Sequence, residues 1–358
     1  MNVTTISRII TVSVVETLNY LPSTTLRLTT FFLSALFSLS LVSCDKFFGK
    51  NQKSETALSP LDSISELIKA NPEDSKLYNE RAKLYLEKKE YKNAKTDAGK
   101  AISLDSSVSA YYVTIADGYF FTNEPDKCEA SLKKAISLDA QNKEALMKMS
   151  EFYMYLNRFE ESITFANKIL EFDPNFSKAF FIKGMCYKDA GDTARAILNF
   201  REAFDKDPES YHACIMLAQL HFGLKDKLAV TYYNNALNLK PKSLEAYYGL
   251  AMFYQETGEL NRALETYSTI LGIDANYKNA HYNIGYIHFQ YLKNYNEALK
   301  HFDNAVKCDA SYYQAVYMRG LCYETLGDIQ RAKGEYTRAL QINPGYQMAL
   351  DGMNRVLK

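Results

Sequence analysis

Histidine and cysteine are the residue types of this chain whose chemistry suits metal binding or nucleophilic catalysis. The 358 residues include five histidines and six cysteines. His281 and His288 are seven residues apart, which places them on one face of a helix, where two imidazoles could hold a metal ion. No Cys-x-x-Cys pair is present, so the spacing typical of zinc and thioredoxin-like sites is missing.

A packing role is the other interpretation of these residues. His221 and His288 stand where equivalent positions of the repeat described below carry tyrosine, and His281 stands where they carry tyrosine or phenylalanine. A free thiol packs like a small apolar group. That role suits the five cysteines after Cys44, which are Cys128, Cys186, Cys214, Cys308 and Cys322. We expect reduced core thiols, packing histidines and no bound metal ion.

The sequence contains none of the arrangements on which hydrolases, kinases or metalloproteases depend. It has no Ser-His-Asp order, no glycine-rich phosphate loop and no HExxH helix. Lys+Arg and Asp+Glu both number 42, so no bulk charge attracts nucleic acid. We predict a protein that is not an enzyme, needs no cofactor and does not bind nucleic acid.

A small residue recurs at a spacing of about 34 residues through most of the chain. We call these the pivot residues. They are Ala94, Cys128, Ser162, Ala196, Ala229, Ala263, Ala298 and Ala332. A fixed period in this range predicts stacked units of one supersecondary type, and such arrays usually present an extended binding surface.

Each period is predicted to contain two helices. Further small residues and aromatics stand at spacings of three, four and seven, which define one helix face. Gly191, Gly258 and Gly327 fall between the two predicted helices, where glycine suits a left-handed helix end. Pro174 and Pro208 lie just beyond second helices, where proline stops one helix and can open the next.

This pattern closely resembles the tetratricopeptide repeat. Asp173-Pro174 and Asn343-Pro344 match the end of that repeat, although tyrosine or phenylalanine stands where the family often has tryptophan. The resemblance covers residues 75–346. It implies an all-α fold, a right-handed superhelix or α-solenoid of eight helix-turn-helix repeats.

The ends of such an array need caps, because a terminal repeat leaves an apolar face without a neighbour. Residues 59–74 are predicted to form a leading capping helix in front of repeat one. Residues 347–358 are predicted to form a C-terminal capping helix. The residues expected to cover repeat eight are Met348, Leu350, Met353 and Leu357.

The N-terminal segment has the pattern of an exported lipoprotein. Residues 31–42 are an apolar run too short to span a bilayer comfortably, as in a secretory signal. Leu41-Val42-Ser43-Cys44 resembles the lipobox of bacterial lipoproteins, which implies cleavage before Cys44 and a diacylglycerol on its thiol. An uncleaved anchor, or a secretory signal with an incidental cysteine, is the alternative.

This resemblance implies a location as well as a modification. Residues 1–43 are predicted to be a lipoprotein-type signal peptide, and residues 44–58 a short polar tether. The mature protein would be lipid-anchored in a bacterial cell envelope and would face the periplasm. The outer membrane is favoured over the inner membrane.

In tetratricopeptide proteins the first helix of each repeat lines a concave groove, with unit positions 5 and 9 pointing into it. Carried over to this chain, these positions are polar in the early repeats and apolar in repeats four to eight. The predicted partner-binding residues are Phe181, Met185, Ile215, Tyr248, Met252, Tyr282, Tyr286, Tyr317 and Leu321. Burial of this surface between neighbouring first helices is the alternative.

The resemblance implies a membrane-anchored protein interaction scaffold that binds a partner peptide or protein in this groove. A ligand-binding module for envelope glycan or lipid is the alternative, with Tyr248, Tyr282, Tyr286 and Tyr317 stacking on sugar rings or gripping a lipid chain. A third hypothesis is a rigid spacer that assists an enzyme. The family's carboxylate clamp is not supported, because the required lysine and asparagine pattern is missing.

Overall fold

The computed structural model describes residues 59–357, and the regular elements in that range are eighteen α-helices. The predicted signal peptide, the tether and Cys44 lie outside the described residues. Between Ser59 and Leu357, no helix is both long enough and apolar enough to cross a bilayer. The helices belong to two compact units, which meet in the sequence between Arg158 and Phe159.

The first unit contains six helices in the part of the chain that the structure describes. They are α1 (Pro60–Ala70), α2 (Ser75–Glu87), α3 (Tyr91–Leu104), α4 (Ser109–Phe121), α5 (Pro125–Leu138) and α6 (Lys143–Tyr155). Helix α1 is the leading helix, α2 and α3 form repeat one, α4 and α5 form repeat two, and α6 begins repeat three. Consecutive helices pack on one another.

The second unit contains the remaining twelve described helices. They are α7 (Phe159–Phe172), α8 (Ser177–Asp189), α9 (Thr193–Lys206), α10 (Tyr211–Gly223), α11 (Leu228–Leu239), α12 (Leu244–Glu256), α13 (Leu260–Ile273), α14 (Lys278–Gln290), α15 (Tyr295–Cys308), α16 (Tyr313–Thr325), α17 (Ile329–Ile342) and α18 (Gln347–Val356). Helices α8 to α17 pair into repeats four to eight, and α18 packs on α17. The fold is an all-α solenoid.

Small residues set how closely the paired helices approach. All eight pivot residues are buried, with exposed fractions between 0% and 2% for the alanines and Cys128. Glycine serves the same purpose on some first helices. A Cβ on Gly285 would stand 2.9 Å from the ring of Phe302 and 3.2 Å from the carbonyl oxygen of Ala298. Ring and glycine therefore fit together as one packing unit.

The turn between the two helices has one conformation in every repeat. Gly191, Gly258 and Gly327 have φ of 82°, 82° and 84°, as predicted for left-handed helix ends. The other five repeats reach the left-handed region without glycine. These residues are Lys89, Asn123, Asn157, Lys225 and Lys293, with φ between 54° and 60°. The glycines were predicted from the sequence, whereas the three lysines could not be, because lysine does not indicate this conformation.

The C-terminal helix is present, but its buried face differs from the predicted one. Ala349 and Gly352 are buried, and Met348, Met353 and Val356 pack against the core of α16 and α17. The prediction was wrong for Leu350 and Leu357, which are 37% and 59% exposed. Tyr336 explains the change, because its ring lies under Gly352, where a Cβ would be only 2.7 Å away.

The five cysteines of the described range are free thiols. Cys128, Cys186, Cys214 and Cys322 are buried, and Cys308 is half-buried. Burial raises the pKa of Cys128 and of Cys322 to about 12. Thiols with such pKa values hold little thiolate at neutral pH, so these residues are packing groups.

Candidate partner-binding face

The nine predicted binding residues all lie on the first helices of repeats four to eight, within the second unit. Phe181 and Met185 are on α8, Ile215 is on α10, Tyr248 and Met252 are on α12, Tyr282 and Tyr286 are on α14, and Tyr317 and Leu321 are on α16. We call the side of these five helices that carries the nine residues the first-helix face.

Exposure divides the nine residues into two groups. Four are more than nine-tenths buried, namely Met185 at 8% exposed, Ile215 at 1%, Met252 at 7% and Tyr317 at 5%. Phe181, Tyr248, Tyr282, Tyr286 and Leu321 are half-buried and keep part of their surface exposed. The second group is accessible to a partner, and the first group supports it. Partner binding by any of the nine remains a prediction.

Three predicted tyrosines of repeats six to eight each contact a tyrosine of a second set. Tyr248 contacts Tyr277 with ring centroids 5.8 Å apart, and Tyr282 contacts Tyr312 at 5.3 Å. The same contact joins Tyr317 to Tyr346 at 5.5 Å. These six residues, Tyr248, Tyr277, Tyr282, Tyr312, Tyr317 and Tyr346, form what we call the tyrosine ladder.

The second set occupies a defined place in each repeat. Tyr277, Tyr312 and Tyr346 are the N-cap residues of α14, α16 and α18. Helical periodicity did not predict these three residues, because they stand outside the helices. Their own recurrence could have identified them, since each directly precedes a predicted helix at nearly the repeat spacing.

A layer of buried rings supports the ladder from the second helices. Tyr248 packs on Tyr267 at 6.1 Å, and Tyr282 packs on Phe302 at 5.6 Å. The ring of Tyr336 lies 5.6 Å from that of Tyr317. Tyr267, Phe302 and Tyr336 are all 0% exposed. The ladder is therefore held in place before any partner arrives, which lowers the entropy cost of binding.

Polar groups at the ladder are partly satisfied. Asn283 donates from Nδ2 to the hydroxyl of Tyr248 at 3.2 Å, and lies 3.6 Å from the sulfur of Met252. The hydroxyl of Tyr286 is buried and has no hydrogen-bond partner among the described residues. A buried hydroxyl without a partner costs free energy, so Tyr286 destabilises the folded repeat slightly at this atom.

Three tyrosines of the first-helix face have raised pKa values. Burial raises the pKa of Tyr248 to about 12 and that of Tyr286 to about 12. The pKa of Tyr282 is also raised, again chiefly by burial. These side chains can therefore donate hydrogen bonds but are not candidates for acid-base catalysis near neutral pH.

The equivalent positions of the first unit carry polar and charged side chains as well as apolar ones. Asn79 on α2 is 3% exposed, and its Oδ1 atom has no hydrogen-bond partner among the described residues. Lys148 on α6 forms an ion pair with Asp117 on α4 at 2.9 Å. Lys83 is exposed and pairs with Glu80 on its own helix. Charged side chains at these positions of the first unit already form ion pairs with other residues of that unit.

A separate depression of about 530 Å³ lies among α11, α12 and α13. Its lining combines polar and apolar side chains and includes none of the nine predicted residues. The lining residues are Asn234, Leu237, Asn238, Pro241, Tyr247, Leu250, Glu265, Thr266 and Thr269. Its amide, hydroxyl and single carboxylate groups form no catalytic or metal-binding set.

Comparison with known proteins agrees with this architecture. Family models described as tetratricopeptide repeat match residues 75–107, 109–142, 143–176, 178–210, 227–283 and 287–346. These matches together cover more than half of the chain and extend over both compact units.

Individual relatives are distant. The chain is 28% identical over 191 residues to TPR repeat-containing protein MJ1428 of Methanocaldococcus jannaschii, covering 50% of this chain and 33% of that protein. It is 27% identical over 190 residues to human DnaJ homolog subfamily C member 7, covering 52% of this chain and 34% of that protein. The chain thus spans about a third of the length of these two relatives.

A solved tetratricopeptide repeat protein from Parabacteroides merdae is similar in structure. The match covers 71% of this chain and 100% of that one, with 13% sequence identity and a TM-score of 0.48.

Proposed function

Because this chain belongs to the tetratricopeptide repeat family, we propose that it is a scaffold that binds an extended peptide or a protein surface along the tyrosine ladder. Tetratricopeptide repeat proteins mediate protein–protein interactions, and the scaffold is typically non-enzymatic. The proposal narrows that general role to repeats six to eight and to the first-helix face of α12, α14 and α16.

One observation carries the proposal: tyrosines with partly exposed rings lie over a layer of fully buried rings. Tyr282 and Tyr286 expose part of their surface on α14. Rigid aromatic side chains of this kind dominate the energetics of protein interfaces. Partly exposed rings of this kind suit a partner that brings apolar or aromatic side chains.

Site-specific photocrosslinking tests this assignment. A photoreactive amino acid at position 286 should give one dominant protein adduct in intact cells, and Tyr282→Ala in the same chain should abolish it. The matched control places the same amino acid at Leu198, which is 58% exposed on the second helix α9. Equal adducts from both positions would contradict the proposal. An adduct with glycan or lipid alone would favour the ligand-binding alternative.

We also propose that Cys44 carries a lipid that places the repeats beside a membrane of a bacterial envelope, facing the periplasm, with the outer membrane favoured. The support is the apolar run over residues 31–42 followed by Leu41-Val42-Ser43-Cys44. A lipid-anchored binding face would meet partners that are themselves restricted to the envelope.

A labelling experiment tests the anchor independently of partner binding. The Cys44→Ala variant should lose incorporation of a fatty-acid analogue and leave the membrane fraction. Cys308→Ala, at a half-buried thiol within the repeats, is the matched control and should keep both properties. A Cys44→Ala chain that still carries label and still sediments with membranes would contradict the lipobox assignment.

A further inference from the structure

Three side chains of the tyrosine ladder keep hydroxyl groups without a partner. Tyr277, Tyr282 and Tyr312 are half-buried, and their hydroxyls make no hydrogen bond with the described residues. Unlike the hydroxyl of Tyr286, these three are not fully buried, so a partner can reach them. A neutral phenol can donate one hydrogen bond. The ladder therefore presents accessible donors beside aromatic rings.

Two rungs of the ladder have both of their rings partly exposed. The planes of Tyr248 and Tyr277 are inclined by 55°, and those of Tyr282 and Tyr312 by 38°. Neither pair closes into a flat stack, so each rung presents two ring surfaces at an angle. Aromatic surfaces also line the grooves in which proline-rich segments bind other proteins.

Successive rungs recur at a distance that helix packing sets. Asn283 on α14 donates to the hydroxyl of Tyr248 on α12 at 3.2 Å, and α14 packs on α16. The axes of packed helices lie about 8–10 Å apart. A bound chain that follows the ladder therefore meets a new rung about every 8–10 Å.

The cations of the helices that carry or adjoin the ladder are already paired. The lysine and arginine residues of α12, α14, α16 and α18 are Lys278, Arg319 and Arg355. Each contacts a carboxylate, at 2.6 Å for Asp309, 2.7 Å for Glu335 and 2.8 Å for Glu324 respectively. These helices therefore offer no unpaired cation to an acidic peptide, and an uncharged partner suits the ladder better.

The backbone conformations of a peptide differ in what they offer to hydroxyl donors. An α-helix uses its carbonyl groups in its own hydrogen bonds, and a β-strand brings N–H donors together with its carbonyls. A polyproline II segment has no internal hydrogen bonds, so its carbonyls are free, and proline has no N–H. Its turn of three residues advances about 9 Å, which matches the spacing of the rungs.

Given the proposed role of the tyrosine ladder as a binding face, we infer that its partner is a proline-rich segment in the polyproline II conformation. Proline rings at every third position pack on successive rungs, and the hydroxyls of Tyr282 and Tyr312 donate to carbonyls of the segment. About seven residues reach across the three rungs.

Both sides of this complex are ordered before they meet. The ring of Tyr282 is held by Phe302 at 5.6 Å and by Tyr312 at 5.3 Å. A proline-rich segment already favours the polyproline II conformation in the free state. Little conformational entropy is lost on binding, so a short segment with few contacts can bind measurably.

Fluorescence anisotropy of a labelled decapeptide of L-proline, titrated with the full-length protein, tests the inference. The peptide should bind saturably. The matched control peptide is the decapeptide of D-proline, which has the same composition and label but forms the helix of opposite hand. It should bind about tenfold more weakly or worse, because its carbonyls cannot meet the hydroxyls in the same register.

Variants of the protein separate the rings from the hydroxyls. Tyr282→Ala should weaken binding of the L-proline peptide about tenfold or more. Tyr312→Phe keeps the ring and removes one donor, so it should weaken binding about fivefold. Tyr247→Ala is the matched control on α12, because Tyr247 lines the separate depression and does not belong to the ladder. That variant should bind like the parent, and circular dichroism should show the same helix content for all three.

Three results would overturn the inference: no saturable binding of the L-proline peptide, equal affinity for the two peptides, or equal losses from Tyr282→Ala and Tyr247→Ala. The photocrosslink at position 286 distinguishes this failure from that of the proposed function. If the protein adduct forms but the L-proline peptide does not bind, the ladder binds a partner of another chemistry. If neither is seen, the proposed function and the polyproline II assignment both fail.

Discussion

The first helices of the two compact units share a backbone arrangement but differ in what their faces hold. In the first unit, Asn79 and Val113 are 3% and 1% exposed at the positions that carry ladder tyrosines in the second unit. The charges beside them are paired within the unit. In the second unit, Tyr248 and Tyr282 at the same repeat position are half-buried. One helix position can therefore carry either a buried non-aromatic side chain or a partly exposed ring.

Ion pairs join different helices within the first unit. Arg81 on α2 donates to both carboxylate oxygens of Asp97 on α3 at 2.6 and 2.9 Å. That contact raises the pKa of Arg81. Lys148 makes one contact of 2.9 Å with Asp117. Burial raises the pKa of Asp117, while the carboxylate outweighs burial and raises the pKa of Lys148. The two pairs thus differ in geometry, since the arginine contacts both oxygens of its carboxylate.

The largest expected effect is on stability and belongs to the first unit. Asp97→Ala removes a buried carboxylate and leaves the half-buried Arg81 guanidinium without it, and we expect a loss of about 3 kcal/mol of unfolding free energy. Urea unfolding, with hydrogen exchange read in α2 and α3, measures it. Glu80→Ala breaks the exposed pair with Lys83 and should leave the midpoint unchanged. Equal losses of unfolding free energy from both variants would show that the buried ion pair stabilises the fold no more than the exposed one.

The next effect is on binding and belongs to the second unit. Tyr282→Ala should weaken a captured complex by about 2 kcal/mol or more, the usual size for a central aromatic residue of an interface. Lys83→Ala, in the first unit, should leave the affinity unchanged. Circular dichroism should show the same helix content for both variants. If Lys83→Ala lost affinity while Tyr282→Ala kept it, the binding face would have to be reassigned to the first unit.

The helix crossings should respond alike in the two units. Ala94 and Ala196 are both 0% exposed pivot residues. Replacing either with leucine adds methylene groups to a filled crossing and should cost on the order of 1–3 kcal/mol. Ala130→Leu on the exposed side of α5 is the control and should melt near the parent temperature. A large difference between the two pivots would show that the units do not share one crossing.

The smallest effect isolates one hydroxyl. Tyr286→Phe removes the group that has no partner in the free protein and keeps the ring. We expect slightly higher stability and unchanged partner binding, because the buried hydroxyl is out of a partner's reach. Calorimetry on parent and variant reports both quantities. A loss of affinity would mean that binding exposes the hydroxyl and gives it an acceptor.

The periodicity of small residues predicted much of the fold. Ala196 and Ala298 could be assigned to buried crossings because steric fit admits only small side chains there, and that constraint repeats in the sequence. The left-handed lysines could not be predicted, since Lys89 and Lys293 adopt this conformation only because the surrounding helices require it. The buried face of α18 could not be predicted either, because it depends on the position of the Tyr336 ring.

The candidate sites were predictable to a smaller degree. Tyr248 and Tyr282 followed from their repeat positions, but Tyr312, which contacts Tyr282, stands outside a helix and carried no helical periodicity. His281 was predicted as a packing residue, but its contact with His301 was not predicted. The two are twenty residues apart on different helices, and only the packing of α14 on α15 brings their nitrogens together.

Each rung of the tyrosine ladder joins one first helix to the residue that begins the next, so the ladder also couples neighbouring repeats. In a linear array, such coupling determines how far a local opening spreads along the chain. A partner that holds Tyr282 against Tyr312 would suppress fraying of the helices that follow. Amide exchange should then slow in α16, α17 and α18, beyond the partner's own contacts. Partner binding would therefore increase the number of helices that open together.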